Sequence, residues 1–195
     1  GVLLILGVAT LALHTNALTA GVALFGAVFY VLIYGYAKRA SQLGTIVGSV
    51  AGAVPILAGY TAFTGSIDTP AILLFFVLVL WQMPHFYAIA IYRLRDYEEA
   101  GIPVLPAMIG VHKTKIAIIA YIVVFLCAET TLFVVGAVGY VYLILVGGFG
   151  IAWLSRAVAG LHTSDDTVWA KGVFLFSIRV LIVFSVAISI GAVVR

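Results

Sequence analysis

Three groups of residues have the types and spacing to do chemistry. The first is Tyr34-Gly35-Tyr36-Ala37-Lys38-Arg39-Ala40-Ser41. Tyr30, Tyr34 and Lys38 recur every four residues, which puts them on one face of a helix. Lys38 and Arg39, side by side at a helix end, can bind phosphate oxygens, the lysine as a point charge and the arginine as a fork. Ser41 can cap the next helix. The same cluster also reads as a basic anchor beside an aromatic belt.

The second group is denser. It runs Trp81-Gln82-Met83-Pro84-His85-Phe86-Tyr87 and, after three residues, Ile91-Tyr92-Arg93-Leu94-Arg95-Asp96-Tyr97-Glu98-Glu99. Trp81, His85, Tyr92 and Asp96 have spacings that keep them near one helix face. His85 lies about 10 Å deeper than Tyr92 at the helical rise. A histidine inside an apolar span faces protein or a water-filled cavity, because lipid cannot satisfy its nitrogens. It can serve as an interhelical hydrogen-bonding group or, more sharply, as a haem-iron ligand. Pro84 should loosen the backbone there. Carboxylates at such a mouth, Asp96 foremost, can hold Mg²⁺ while the metal binds a diphosphate. Arg95 and Lys113 can clamp the remaining phosphate oxygens. No spacing here is a stand-alone metal signature.

The third group is two charges inside apolar segments, Glu129 and Arg179. Their expected depths differ by roughly 10 Å at 1.5 Å per residue, so a direct pair is not expected. Gly44, Gly48 and Gly52 form a small-residue series that lets helices approach closely. Pro55, just beyond it, can open a kink beside a cavity.

The elements that position these residues follow from composition. Of 195 residues, 65% are hydrophobic and only 9% charged. A soluble domain of this size needs far more polar surface. That excludes a cytoplasmic globular enzyme, a coiled coil and a disordered chain. The apolar runs are long and lack alternation, so helices are favoured over a barrel. The single Cys127 excludes a disulfide framework within the chain. The expectation is an all-α polytopic transmembrane bundle, one membrane domain over residues 1–195 with about seven helices. They are read as 1–13, 17–37, 43–63, 70–92, 116–136, 140–155 and 173–194. The first covers only about 20 Å, less than a bilayer core. That implies a chain beginning inside a span, the C-terminal part of a longer protein.

Alternate loops separate the charges. Lys38, Arg39, Arg93, Arg95, Lys113, Lys115, Arg156 and Lys171 fall in three loops on one side, with Asp96, Glu98, Glu99, Asp165 and Asp166. The opposite side has only the terminal Arg195 as a basic residue. The positive-inside rule turns the rich loops toward the cytoplasm, or the matrix in an organelle. Their mixed charge suits either a solvated face or a polar substrate with an apolar body.

These residues carry a resemblance. Tyr36-Ala37-Lys38-Arg39, Gly48-Ser49-Val50-Ala51-Gly52-Ala53-Val54-Pro55, Trp81 to Tyr87, and Asp96-Tyr97-Glu98-Glu99-Ala100-Gly101-Ile102-Pro103-Val104-Leu105-Pro106 closely resemble, in order and interval, the haem O synthase (protoheme IX farnesyltransferase) branch of the UbiA-type intramembrane prenyltransferases. The resemblance implies a nine-helix fold around a cavity, of which this chain matches helices three to nine. It implies transfer of farnesyl from farnesyl diphosphate to a vinyl group of haem B, with Mg²⁺ and basic residues stabilising the departing diphosphate. Haem B is then a substrate rather than a permanent cofactor.

By the same resemblance, Lys38 and Arg39 bind diphosphate. Asp96, Tyr97 and Arg93 form the second polar motif, with Asp96 a candidate magnesium ligand. Trp81, His85, Tyr92 and Tyr34 line the haem and prenyl pocket. Many relatives carry two aspartates in that motif, whereas Arg93 stands where the first would align. The other acidic motif is expected upstream of Gly1. The implied setting is the plasma or inner membrane, or the mitochondrial inner membrane in a eukaryote. The resemblance also implies haem A synthase as a partner, and no nucleic acid is expected. Transport, another aromatic prenyl acceptor, and a respiratory-oxidase assembly role are the competing readings.

Overall fold

The computed structural model describes residues 1–41 and 43–191, with the side chains of residues 39, 40 and 191 left aside. The described residues form helices and turns, without strands. In chain order they are α1 (Val2–His14), α2 (Ala17–Val28), a π-helical turn (Phe29–Tyr34), α3 (Gly35–Ala40), α4 (Gly44–Thr64), α5 (Thr69–Tyr92), α6 (Leu94–Glu99), α7 (Leu105–Ile109), α8 (Val111–Val134), α9 (Tyr140–Ala159), a 3-10 turn (Gly160–His162) and α10 (Asp166–Gly191). Among the described residues six helical segments are long and apolar enough to cross a bilayer, and Val2–His14 is a shorter apolar helix. Large apolar side chains such as Leu3, Phe63 and Ile144 stand outward, Phe63 94% exposed. A hydrocarbon solvent suits that surface and water does not. The protein is a multi-pass membrane protein.

Two span starts and one loop depart clearly from the sequence expectation. The fifth expected span begins at Val111 rather than at residue 116, so Lys113 and Lys115 ride on the first turns of α8 instead of a loop. The last begins at Asp166, which places Lys171 on α10. Asp165 causes this early start, its carboxylate accepting from the amides of Thr167 and Val168, both at 3.0 Å. The expected Arg93–Lys115 loop is built of two short helices. Gly101 and Gly110, at φ of 65° and 86°, end α6 and precede α8 in a conformation that L side chains rarely adopt.

The chain divides into two compact units, Gly1–Val79 and Leu80–Arg195. In the first, α2 and α4 pack at the closest range. A methyl group on Gly26 would stand 2.5 Å from Val54 Cγ1. At one end Asn16 caps α2 by accepting from the Thr19 amide at 2.9 Å, and donates to the Thr61 carbonyl at 2.8 Å. The buried Thr19 and Thr61 hydroxyls meet at 3.0 Å. The side chains of Asn16, Thr19 and Thr61 are therefore matched within protein, as a lipid solvent requires. Helix α4 continues through Pro55. Beside it lies an apolar cavity of about 560 Å³, bounded by Leu11, Gly26, Tyr30, Val54 and Pro55 among others.

In the second unit α8, α9 and α10 follow one another. Each buries a helical stripe: Ile118, Ile122, Phe125, Glu129 and Leu132 on α8; Tyr142, Val146, Gly150, Trp153 and Ala157 on α9; Val173, Ser177, Val180, Phe184 and Ala187 on α10. A methyl on Gly150 would stand 2.5 Å from Leu126 Cδ2, so α8 and α9 touch there through the glycine. One corner is fastened by Lys115. Its buried ammonium donates to the Gly160 carbonyl at 2.7 Å, pairs with Asp166, and lies 5.1 Å from the Trp169 ring centre.

Candidate functional site

The second unit builds its site from the C-terminal half of α5. Trp81 and His85 are one helical turn apart, and their rings stack at 4.7 Å and 26°. Both reach one residue of α10. The Trp81 indole donates to the Ser177 carbonyl at 2.9 Å, and His85 Nδ1 lies 2.7 Å from the Ser177 hydroxyl oxygen. Phe86 and Phe174 flank the imidazole at 5.3 and 5.1 Å. Met83, Tyr87 and Ile91 on the same helix are buried. Pro84, expected to loosen the backbone, leaves α5 unbroken. The two side-chain anchors to Ser177 hold the helix on either side of it.

Helix α5 ends at Arg93, whose φ of −110° and ψ of 23° leave the helical region. This corrects the expected common face. Trp81, His85 and Tyr92 share α5, but Asp96 belongs to the separate helix α6. The break arranges the charges. Arg93 donates to Asp96 at 3.0 Å and its guanidinium lies 5.0 Å from the Tyr92 ring centre. Lys171 of α10 approaches the same ring at 5.6 Å. Arg95 pairs with Glu99 at 3.0 Å. Both ion pairs are more than half exposed. Pairs of that kind are worth at most about 1 kcal/mol. An incoming anion can therefore replace the carboxylates at little cost. Tyr97 is half-buried, and Lys113 is exposed on the first turn of α8.

In the first unit, Tyr34 sits in the π-helical turn, its ring 5.3 Å from that of Tyr30. The glycines of α4 explain both placements. A methyl on Gly48 would stand 2.7 Å from the Tyr34 ring, and one on Gly44 would stand 2.9 Å from the Lys38 Cα. Gly44 and Gly48 thus let the chain before α4 pack closely on it, as their spacing implied, whereas Gly52 is exposed. Ser41 turns the chain, its hydroxyl accepting from the Leu43 amide at 3.1 Å. The Arg39 side chain lies outside the described residues.

The residues present do not by themselves make a magnesium site. Among the described residues no three His, Cys, Asp or Glu side chains gather to hold a metal ion. Asp96, the candidate ligand, is already paired with Arg93. Arg179 and Glu129 do not pair, as their depths implied. Arg179 is exposed near the Phe176 ring, whereas Glu129 is 1% exposed on the core stripe of α8.

Sequence reasoning missed Ser177 and Phe174 as neighbours of His85, and Lys171 as a second cation at Tyr92. The signal for Ser177 was available. It is a polar residue inside an apolar span, and such residues usually answer a polar group on another helix. Nothing in the sequence pointed Lys171 at Tyr92, because that contact depends on where α10 begins.

The second unit thus sets a cluster of aromatic rings around His85 and a group of mixed charges just past the end of α5. The UbiA prenyltransferase family profile matches residues 1–178, and the chain belongs to that family. It is 48% identical over 191 residues to Protoheme IX farnesyltransferase 2 of Pseudomonas paraeruginosa, covering 96% of this chain and 64% of that protein. It is 45% identical over 186 residues to Protoheme IX farnesyltransferase of Protochlamydia amoebophila, covering 95% and 66%. The Photorhabdus laumondii protein of that name is 44% identical over 187 residues, covering 95% and 64%. The chain thus spans just under two thirds of the length of these relatives. A solved structure described as giving insight into the biosynthesis of digeranylgeranylglyceryl phosphate synthase in membranes superimposes with a TM-score of 0.81 at 22% identity, covering 98% of this chain and 67% of that one. That likeness concerns the fold.

Proposed function

We propose that the full-length protein transfers the farnesyl group of farnesyl diphosphate to a vinyl group of haem B, giving haem O. The observation that carries this reading is the 48% identity, over nearly the whole chain, to a relative named for that substrate and transfer. The geometry supports it. An apolar, aromatic floor at Trp81, His85, Phe86 and Phe174 suits a flat macrocycle, and a cationic mouth at Arg93 and Lys171 suits a diphosphate.

In this reading the bond from farnesyl C1 to the diphosphate oxygen breaks, and the diphosphate leaves with the electron pair. The vinyl carbon bonds to C1, and water adds to the resulting cation and loses a proton. Arg93, Arg95, Lys113 and Lys38, with Arg39, supply charge to the leaving diphosphate. Tyr92, Tyr97 and Tyr34 offer aromatic faces to the prenyl cation. Asp96 holds Arg93 in place at the mouth.

Enzymes of this family generally use Mg²⁺ with their diphosphate substrates. The donor set described above does not fit such an ion alone, and the remaining acidic motif is proposed to lie upstream of Gly1. The charged loops are proposed to face the cytoplasm, or the matrix in a mitochondrion, and a haem A synthase is the proposed recipient of the product.

The test is direct. Full-length protein in membranes receives haem B, farnesyl diphosphate and Mg²⁺, and the pigments are separated and weighed by mass spectrometry. Haem O is the expected product. Prenylation of a different aromatic acceptor, with haem B untouched, moves the enzyme to another branch of the family; transport without prenylation refutes the reading.

A further inference from the structure

Ser177 has one hydroxyl proton and two close polar neighbours. Its oxygen stands 2.6 Å from the Phe174 carbonyl oxygen and 2.7 Å from His85 Nδ1. Two oxygens approach that closely only with a proton between them, and a carbonyl has none to give. The serine proton is therefore committed to Phe174. His85 Nδ1 must then carry its own hydrogen and donate it to the serine oxygen. A neutral imidazole has one N–H, so Nε2 is left with a bare lone pair.

The ring is also held in orientation. It is stacked on Trp81, whose indole is tied to the backbone carbonyl of the same Ser177. Phe86 and Phe174 close on it at 5.3 and 5.1 Å. His85 is half-buried, and Nε2 has no hydrogen-bond partner among the described residues. A fixed imidazole that donates from Nδ1 and offers Nε2 is the arrangement metal-binding histidines use, the second hydrogen bond setting both tautomer and basicity.

We infer that His85 Nε2 is an axial ligand to the iron of the haem substrate, and that Ser177 is the positioning residue that holds its tautomer. This rests on the haem reading of the proposed function. The alternative role for such a nitrogen is a general base toward the added water. A base becomes an imidazolium, which enzymes steady with a carboxylate on Nδ1. Here the Nδ1 partner is a neutral hydroxyl already engaged with a carbonyl, which suits a ligand.

The experiment is an optical and resonance Raman titration of the purified full-length protein with haem B, beside a separate measurement of farnesyl diphosphate binding. Wild-type protein should give an iron–histidine signature. His85→Ala should lose that signature and bind haem about tenfold or more weakly, keep its diphosphate affinity, and regain nitrogen ligation on addition of imidazole. Ser177→Ala should keep the signature with haem affinity reduced roughly tenfold, the lower range for loss of such a supporting hydrogen bond. An unchanged haem spectrum in His85→Ala overturns the inference, and if turnover falls nonetheless, the general-base role replaces it. Loss of diphosphate binding together with haem binding, without rescue by imidazole, also overturns it in favour of a structural histidine. Failure of the wild-type protein to bind haem overturns the haem reading itself, and so is distinguishable from failure of the ligand assignment.

Discussion

Lys115 offers a stringent test of how the second unit is held together. It is a lysine inside the fold, 5% exposed, on the first turns of α8. Its ammonium spans from α8 to the α9–α10 connection through the Gly160 carbonyl, Asp166 and the Trp169 ring. Lys115→Met keeps most of the length as an unbranched apolar stem and removes the charge. Removing one member of a fully buried ion pair costs about 3–5 kcal/mol. That figure is too large here, because the Asp166 side chain is 43% exposed and water can take over its solvation. What is lost is chiefly the charged hydrogen bond to Gly160, about 1.5–3 kcal/mol, and some cation–π attraction at the indole. The expected cost is therefore about 2 kcal/mol, near a thirtyfold change in the folded-to-unfolded ratio. Asp166→Asn should cost about 1 kcal/mol or less, since its carboxylate is the exposed partner. The assay is reversible unfolding of the full-length protein from detergent micelles by sodium dodecyl sulfate, followed by tryptophan fluorescence and circular dichroism. A cost below about 0.5 kcal/mol for Lys115→Met would refute the reasoning, because no buried charged hydrogen bond is so weak. Equal costs for the two variants would refute the assignment of the energy to Gly160.

Further expectations follow from the same geometry. Both carboxylate oxygens of Glu129 and the Tyr142 hydroxyl are buried without a hydrogen-bond partner among the described residues. Glu129→Leu should therefore stabilise the protein by about 1–3 kcal/mol in the same unfolding assay, the usual desolvation penalty of an unmatched polar group; destabilisation would mean the carboxyl has a partner of consequence. Lys38→Ala should weaken farnesyl diphosphate binding about tenfold while leaving haem B binding within about twofold, as expected for loss of one charged phosphate contact. Equal weakening of both, read by equilibrium titration, would make Lys38 structural. Asp96→Asn should lower prenyl transfer by no more than about fivefold, because the exposed pair it makes with Arg93 is worth at most about 1 kcal/mol, and unchanged turnover removes Asp96 from the site.

Much of the fold was legible because lipid leaves little choice. Apolar runs of about 20 residues must be helices, and the bias of Lys and Arg orders the loops. The nearness of Trp81 to His85 was also readable, from their spacing of one helical turn. The helix ends were not. Hydropathy sees charge as the edge of a span, so Lys113, Lys115 and Lys171 were read as loop residues. The backbone runs on through them because the caps lie further out, at Gly110 and Asp165. Arg93 shows the opposite error. The spacing of Trp81, His85, Tyr92 and Asp96 assumes one continuous helix, and a single non-helical residue turned the last of them away.

The amino-acid sequence by itself determined the solvent, the secondary structure and the family, since these depend on composition and on neighbours along the chain. The tertiary structure decided which way a proton points on His85. That depends on Ser177, 92 residues away, and on the carbonyl that claims the serine's only hydrogen. It decided as well that Lys115 is buried and Asp96 exposed, though both read as charges on one membrane face. Charge and type belong to a residue; partner, tautomer and exposure belong to what the fold brings against it.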